Sequence, residues 1–243
     1  MRKNRYLILI PSLNAAKTIK KVILELKKLN MAFDVLIVDN DSPDNTAEAA
    51  RQAIKELNLK NFIVIKNKRN LGYGGSQKVA LSHAMDNKYD KLIVLHADNQ
   101  YPAASIPSLI KANAETKAAM TVGTRLKHKN VKKVMPRWRY LGNYALSAMN
   151  RWAYNLNLDE FNSEFRIYDI EFMKKVDMSK CHNVLSNYTI ESIIEILIKK
   201  GKIDQIVIPC SYPPDAHHPQ MWDLLLYFFY NIYRALRYRL FRK

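Results

Sequence analysis

Residues 92–102 read LIVLHADNQYP. Four apolar residues form a run of the length expected for a buried strand, and the chain then places His96, Asp98 and Gln100 at alternate positions before Pro102 closes it. Alternate side chains of an extended chain share one side. One carboxylate and two other metal-capable groups would therefore arrive at one spot. The other reading is local: Asp and Asn near a strand end commonly accept hydrogen bonds from turn backbone.

The segments around this stretch set its context. Apolar runs at 6–10, 34–38, 62–66 and 91–95 alternate with helical patterns at 16–29, 45–57 and 76–87, and a helix over 103–116 with a strand over 118–123 continues the rhythm. That alternation is the sequence form of repeated βαβ units. It predicts an α/β fold, a Rossmann-like and mostly parallel sheet flanked by helices. After Arg125 the rhythm breaks into the basic stretch KHKNVKKVMPRWR, and loops that set specificity are expected in this second half. Ligands of open α/β sheets bind beyond the carboxyl ends of the strands. Those ends carry Pro11, Ser12 and Asn14 from the first strand, Asp39, Asp41 and Asp44 from the second, NKRNLGYGGS after the third, and Asp98 after the fourth.

Composition narrows the partners. The chain has 243 residues, 48% of them hydrophobic, enough for one domain with a full core. Its 39 Lys and Arg against 22 Asp and Glu leave a formal charge of +17, which favours nucleotides, anionic lipid surfaces or nucleic acid. Cys181 and Cys210 stand far apart without a CxxC spacing, so neither a disulfide framework nor a thiolate metal site is indicated, and a reducing cytoplasm fits. The YLILI run near the N-terminus is too short for a signal peptide core. No uncharged apolar stretch is long enough to span a bilayer, the best candidate at 222–241 being interrupted by Asp223, Asn231, Arg234, Arg237 and Arg239.

Several familiar sites are excluded. PSLNAAKT after the first strand lacks the glycines of a dinucleotide fingerprint, and no GxxxxGK[ST] occurs, which argues against nicotinamide enzymes and P-loop ATPases. In VDNDSPDNT, Asp44 or Ser42 can cap the following helix, whereas Asp39 ends a buried run where a carboxylate could accept from the N–H groups of a nucleobase. Gly72 and Gly74 precede Lys78 on the next helix, so backbone amides with a nearby cation could hold a sugar or phosphate. A solvated helix face serves Lys78 equally well.

Taken in order, LIPSLNA, VDNDSPDNT, NKRNLGYGGS and LHADNQYP resemble the family 2 glycosyltransferases of the GT-A fold, most of all the branch of dolichyl- and polyprenyl-phosphate mannosyl- and glucosyltransferases. The likeness covers roughly residues 5–215. It implies a donor site made by Pro11, Ser12, Asn14, Asp39, Asp41, Gly72, Gly74, Lys78, Ala97, Asp98 and Arg125, and Mg²⁺ or Mn²⁺ held by Asp98 with Gln100 and His96. EFNSEFRIYD resembles the SGFR element of the same branch, matching Arg166 to its arginine, and Glu191 falls where relatives carry an acid on a helix, a candidate base for a hydroxyl acceptor. The catalytic set so implied is Asp98, Glu191 and Arg166. The chain departs from the pattern where His96 stands for the first Asp of Asp-x-Asp, Ala15 for an acid, Asn40-Asp41 for Asp-Gly, and Glu164 for the glycine of SGFR. The QxxRW signature of processive synthases is absent, so one sugar per reaction is expected.

From Trp222, the residues Leu225, Leu226, Phe229, Ile232, Tyr233, Leu236 and Leu240 follow helical spacing, with Asp223, Asn231, Arg234 and Arg242 opposite. This stripe either packs on the protein's own core or lies in a membrane interface, and the two are not exclusive. The organisation expected is a GT-A domain over 1–215, with a nucleotide-sugar half at 1–125 and an acceptor half at 126–215, followed by a basic amphipathic helix at 216–243. The activity expected is inverting transfer of one sugar from a UDP- or GDP-sugar to a lipid phosphate or glycan, by an enzyme peripheral to the cytoplasmic face of an anionic membrane and without nucleic acid. The rivals are a sugar-nucleotide nucleotidyltransferase, which should carry a Gly- and Arg-rich loop where PSLNAA stands, and a non-enzymatic basic binding module, which gives no reason for acids at strand ends.

Overall fold

A computed structural model describes residues 4–183, 185–212 and 221–241, apart from the side chains of 185, 186, 221, 223 and 224. The start of the C-terminal segment at 216–220, the Asp223 side chain and Arg242 therefore lie outside the described residues. Seven strands form one sheet in the order β3-β2-β1-β4-β6-β5-β7. They are β1 (Tyr6–Ser12), β2 (Asp34–Asp39), β3 (Phe62–Lys66), β4 (Lys91–Val94), β5 (Met120–Thr124), β6 (Arg166–Asp169) and β7 (Ile203–Val207). Only β6 runs antiparallel to its neighbours β4 and β5. The helices are α1 (Ile19–Lys27), α2 (Thr46–Glu56), α3 (Gly72–Asp86), α4 (Ile106–Thr116), α5 (Val131–Val134), α6 (Arg137–Tyr154), α7 (Ile170–Met173), α8 (Leu185–Ile198) and α9 (Met221–Phe241).

Strand alternation builds the two cores. Leu7, Leu9, Leu36, Val38, Leu92 and Val94 face one way into a core shared with α3 and α8, while Ile8, Ile10, Val35, Ile37, Ile93 and Leu95 face the other way toward α1, α2 and α4. Both faces of each central strand are covered, which is why these strands read as continuous apolar runs instead of alternating ones. The expected mostly parallel sheet with helices on both faces is thus present.

Two features position the site. The chain proceeds from β1 outward to β2 and β3, then crosses back so that β4 pairs with the other edge of β1. At such a reversal, open α/β sheets take ligands in the crevice beyond the carboxyl ends of the strands, here β1 and β4. The β1–β2 register also sets Ser12 beside Asp39 at that rim. The rim turns are made by Asn14, Asp41, Asn45 and Asn99, all at positive φ, a conformation that the short polar side chains of Asn and Asp tolerate better than other non-glycine residues.

Candidate active site

The loops after β1 and β2 are laced together. Ser42 Oγ accepts from the Asn14 amide at 3.0 Å, Thr46 Oγ1 from the Ala15 amide at 2.8 Å, and Asp44 Oδ2 from the Ala16 amide at 3.0 Å. Asp44 Oδ1 also takes the Thr46 amide at 3.2 Å, so it serves the start of α2 from one residue before the N-cap, Asn45. Burial pushes the Asp44 pKa up, but the Thr46 hydroxyl and these amides outweigh it and hold the pKa below its ordinary value.

Inside this frame Asp39 is fully buried. Its Oδ1 accepts from the Ser42 amide at 3.1 Å and the Ser42 hydroxyl at 2.5 Å, while among the described residues the buried Oδ2 has no partner. A buried carboxylate oxygen without a donor is costly, and at a crevice rim the chemistry that relieves it is an incoming N–H. Asn40, one residue on, ties the rim together: its Oδ1 accepts from Asn67 Nδ2 and the Leu71 amide, and its Nδ2 donates to Asn70 Oδ1 at 2.6 Å. In the sequence Asn40 stands out only as a departure from Asp-Gly.

Asp98 repeats the arrangement of Asp39. Its Oδ1 accepts from the Gln100 amide at 3.0 Å, the turn bond allowed for above, and among the described residues no hydrogen bond reaches Oδ2. Ala97 and Gln100 are buried on either side. His96 turns to other partners: its Nε2 lies 3.0 Å from Glu164 Oε2 and 3.2 Å from the Tyr73 hydroxyl. Burial lowers the His96 pKa, and the charge and hydrogen bond of Glu164 more than offset this, leaving it raised. Among the described residues no three His, Cys, Asp or Glu side chains could hold a metal by themselves. A single carboxylate with a free oxygen does fit a hard cation whose remaining ligands are diphosphate oxygens and water.

The glycine loop opens α3 four residues before the expected start. Gly72 has φ +71°, and a Cβ there would come within 2.5 Å of the Asn183 carbonyl oxygen; a Cβ on Gly74 would come within 2.6 Å of that of His182. The glycines thus admit the 182–183 backbone, with the Gly74 amide donating to Asn183 O at 2.8 Å. Lys78 reaches the same loop, donating to Cys181 O at 2.6 Å and Asn183 Oδ1 at 2.8 Å.

Three expected site residues lie inside the protein. Arg125 follows β5 and is buried against Glu160, which receives its amide and its guanidinium, while its Nη1 donates to Tyr212. Arg166 begins β6, where its guanidinium donates to the carbonyls of Phe161, Ser163 and Thr189 and to Ser192 Oγ. Glu191 on α8 is buried and receives the His182 amide at 2.6 Å, Arg234 Nη1 at 3.1 Å and the Tyr230 hydroxyl, with His182 Nδ1 2.7 Å away. The structure thus gathers Pro11, Ser12, Asn14, Asp39, Asp41, Ala97, Asp98 and Gln100 at or just beyond the carboxyl ends of β1, β2 and β4. Apart from the replacement of a glycine by Glu164, nothing local in the sequence singles out Glu160 or Glu164 as site residues, since their partners lie far off along the chain.

The family model of glycosyl transferase family 2 matches residues 7–176. A UDP-N-acetylglucosamine–dolichyl-phosphate N-acetylglucosaminyltransferase of Methanococcus voltae is 29% identical over 150 residues, covering 58% of this chain and 59% of that protein. An undecaprenyl-phosphate mannosyltransferase of Micrococcus luteus is 25% identical over 175 residues, covering 72% and 70% respectively. A crystal structure of glucosyl-3-phosphoglycerate synthase from Mycobacterium tuberculosis, with Mn²⁺, UDP and phosphoglyceric acid, superposes with a TM-score of 0.68 at 15% identity, over 98% of this chain and 78% of that one. The architecture is GT-A, and the match over most of the chain disposes of both rival readings: the chain is a glycosyltransferase and belongs to glycosyl transferase family 2.

Proposed function

We propose that this glycosyltransferase moves one sugar, with inversion, from a UDP- or GDP-sugar to a lipid phosphate at the cytoplasmic face of a membrane. The observation that carries the donor half is the pair of half-used carboxylates. Asp39 and Asp98 each commit Oδ1 to their own turn, and among the described residues neither Oδ2 has a hydrogen-bond partner, that of Asp39 being buried. Asp39 Oδ2 would accept from the N–H of a nucleobase seated against Pro11, Ser12, Asn14 and Asp41. Asp98 Oδ2 would hold Mg²⁺ or Mn²⁺, which when bound offsets the charge gathering on the departing diphosphate. The α3 amides and Lys78 would act through the 181–183 loop they brace, and Arg125 and Arg166 by fixing the strand ends that carry the site, not by touching phosphate.

The acceptor follows from what Glu191 is already doing. A general base needs a free lone pair within reach of the acceptor proton, and Glu191 is buried under donors from His182, Tyr230 and Arg234. A phosphate acceptor is already anionic and needs no base. The names of the relatives from Methanococcus voltae and Micrococcus luteus support such an acceptor.

The test is transfer of labelled sugar from UDP- and GDP-sugars, with Mn²⁺ or Mg²⁺, to a polyprenyl phosphate extracted into organic solvent. Label in the lipid phase, lost in Asp98→Ala and with EDTA, is the expected result. Transfer undiminished in Asp98→Ala, or only to sugar hydroxyls, would overturn it.

A further inference from the structure

The C-terminal helix sits on the domain the opposite way round from a water-facing helix. Along α9 the residues turned inward are Asn231, Ala235, Tyr227, Tyr230, Arg234 and Tyr238, with Asn231 and Ala235 0% exposed. The apolar stripe points outward, with Phe229 at 65% and Leu240 at 71% exposure. The stripe therefore does not pack on the protein's own core, one of the two fates open to it above. Helix α6, against which α9 packs, is rolled the same way. It buries Ser147 and Asn150 beside Leu146, Ala153 and Tyr154, and exposes Trp138, Leu141 and Trp152, Leu141 at 64%. The two helices meet through their asparagines, Asn150 Nδ2 donating to Asn231 Oδ1 at 3.2 Å. On the outer side Arg239 of α9 lies 5.4 Å from the ring centroid of Trp152 of α6, so the exposed faces adjoin.

Burying amides and displaying tryptophan and leucine is unfavourable in water. The order is correct when the outer face meets hydrocarbon. Charge identifies the occupant. The α6 sequence contains no Asp or Glu and α9 only Asp223, while Lys132, Lys133, Arg137, Arg237 and Arg239 are exposed around the apolar patch. A second copy would bring like charges together. An anionic bilayer offers acyl chains to the stripe, an interface level to the tryptophans, and phosphates to the rim of arginines and lysines. No described helix is long and apolar enough to cross a membrane, so both would lie in its plane.

We infer that α6 and α9 together form one docking face for an anionic lipid bilayer, so that α6, within the half expected from sequence to carry specificity loops, is as much a part of the anchor as the C-terminal helix. This deepens the membrane-acceptor reading above, and its test uses no sugar nucleotide, so docking and transfer can fail separately. The protein is sedimented with vesicles of phosphatidylcholine alone or mixed with phosphatidylglycerol. Binding only to the mixed vesicles, weakened by salt, is expected. Leu141→Glu on α6 and Phe229→Glu on α9 should each cut the partition coefficient about tenfold or more while circular dichroism and thermal melting stay unchanged, since both side chains are exposed. An unbound wild type would overturn the inference. So would Leu141→Glu binding as well as the wild type, or a lipid-free dimer in analytical ultracentrifugation that Leu141→Glu dissociates.

Discussion

His96 Nε2 and Glu164 Oε2 stand 3.0 Å apart. These are two of the positions at which the chain departs from the resembled pattern, histidine in place of an aspartate and glutamate in place of a glycine, and the fold brings them together. A carboxylate thus reaches His96 from the 159–165 segment, and its other oxygen, Glu164 Oε1, accepts from Thr189 Oγ1 at 3.0 Å. Each residue makes sense only with the other. His96→Ala and Glu164→Ala should each destabilise by about 1–3 kcal/mol, and the double variant by less than their sum, with a coupling of about 1–2 kcal/mol. Urea unfolding of the four proteins measures this. Losses that add to within about 0.5 kcal/mol would show the contact to be incidental.

Asp39→Asn tests the nucleobase role. The variant keeps an acceptor for the Ser42 bonds but can turn an NH₂ toward the position now held by the free oxygen. Nucleotide binding should weaken by about 2–3 kcal/mol, or some 30- to 150-fold, because one hydrogen bond to a charged acceptor is lost and a donor then faces a donor. Stability should hold or rise slightly, as a buried charge short of donors gives way to a neutral amide. Calorimetry with UDP and GDP, compared between wild type and variant, decides: equal affinities would place the base elsewhere.

The first half of the fold was legible because its signals are local. Strands β1 to β4 are four- to seven-residue apolar runs separated by helical periods, and the carboxyl-end rule then points to Asp39 and Asp98. The second half depends on contacts that no window shows. The RIYD of β6 is four residues long, and it is a strand because β4 and β5 flank it on both edges. The partners Arg125 and Glu160 are separated by 35 positions, so the arginine that the resemblance places in the donor site gave no sign of being neutralised within the protein. The stripe of α9 was legible as a period, but periodicity defines a face without saying which way it turns. That direction is set by Asn231, Arg234 and Tyr230 finding polar partners on α6 and α8.

The Arg125–Glu160 pair yields a sharp contrast. Both side chains are almost wholly buried, so removing one leaves the other charged and unpaired. Arg125→Ala should cost about 3–5 kcal/mol, whereas Arg125→Met with Glu160→Leu should come within about 1–2 kcal/mol of the wild type or exceed it. Chemical denaturation supplies both numbers. A stable Arg125→Ala protein that has lost donor affinity would restore Arg125 to the diphosphate.

Glu191 joins α8, the loop at 181–183 and α9, and its variants separate support from chemistry. In Glu191→Gln the amide keeps one acceptor and loses the charge that attracts Arg234, so α9 should loosen while the crevice, with Asp39 and Asp98 unaltered, stays intact. Amide hydrogen exchange across 227–238 should rise by about tenfold, the loss of roughly 1–2 kcal/mol of charge-assisted bonding, and transfer to a lipid phosphate should fall only a few-fold. Tyr230→Phe, which removes one donor to the same carboxylate, should loosen α9 in the same direction and to a smaller extent. The two outcomes are distinct because a base acts on the acceptor proton and a brace does not: if Glu191→Gln lost activity about 100-fold or more with exchange in α9 unchanged, the carboxylate would be the base, and the acceptor would be a hydroxyl.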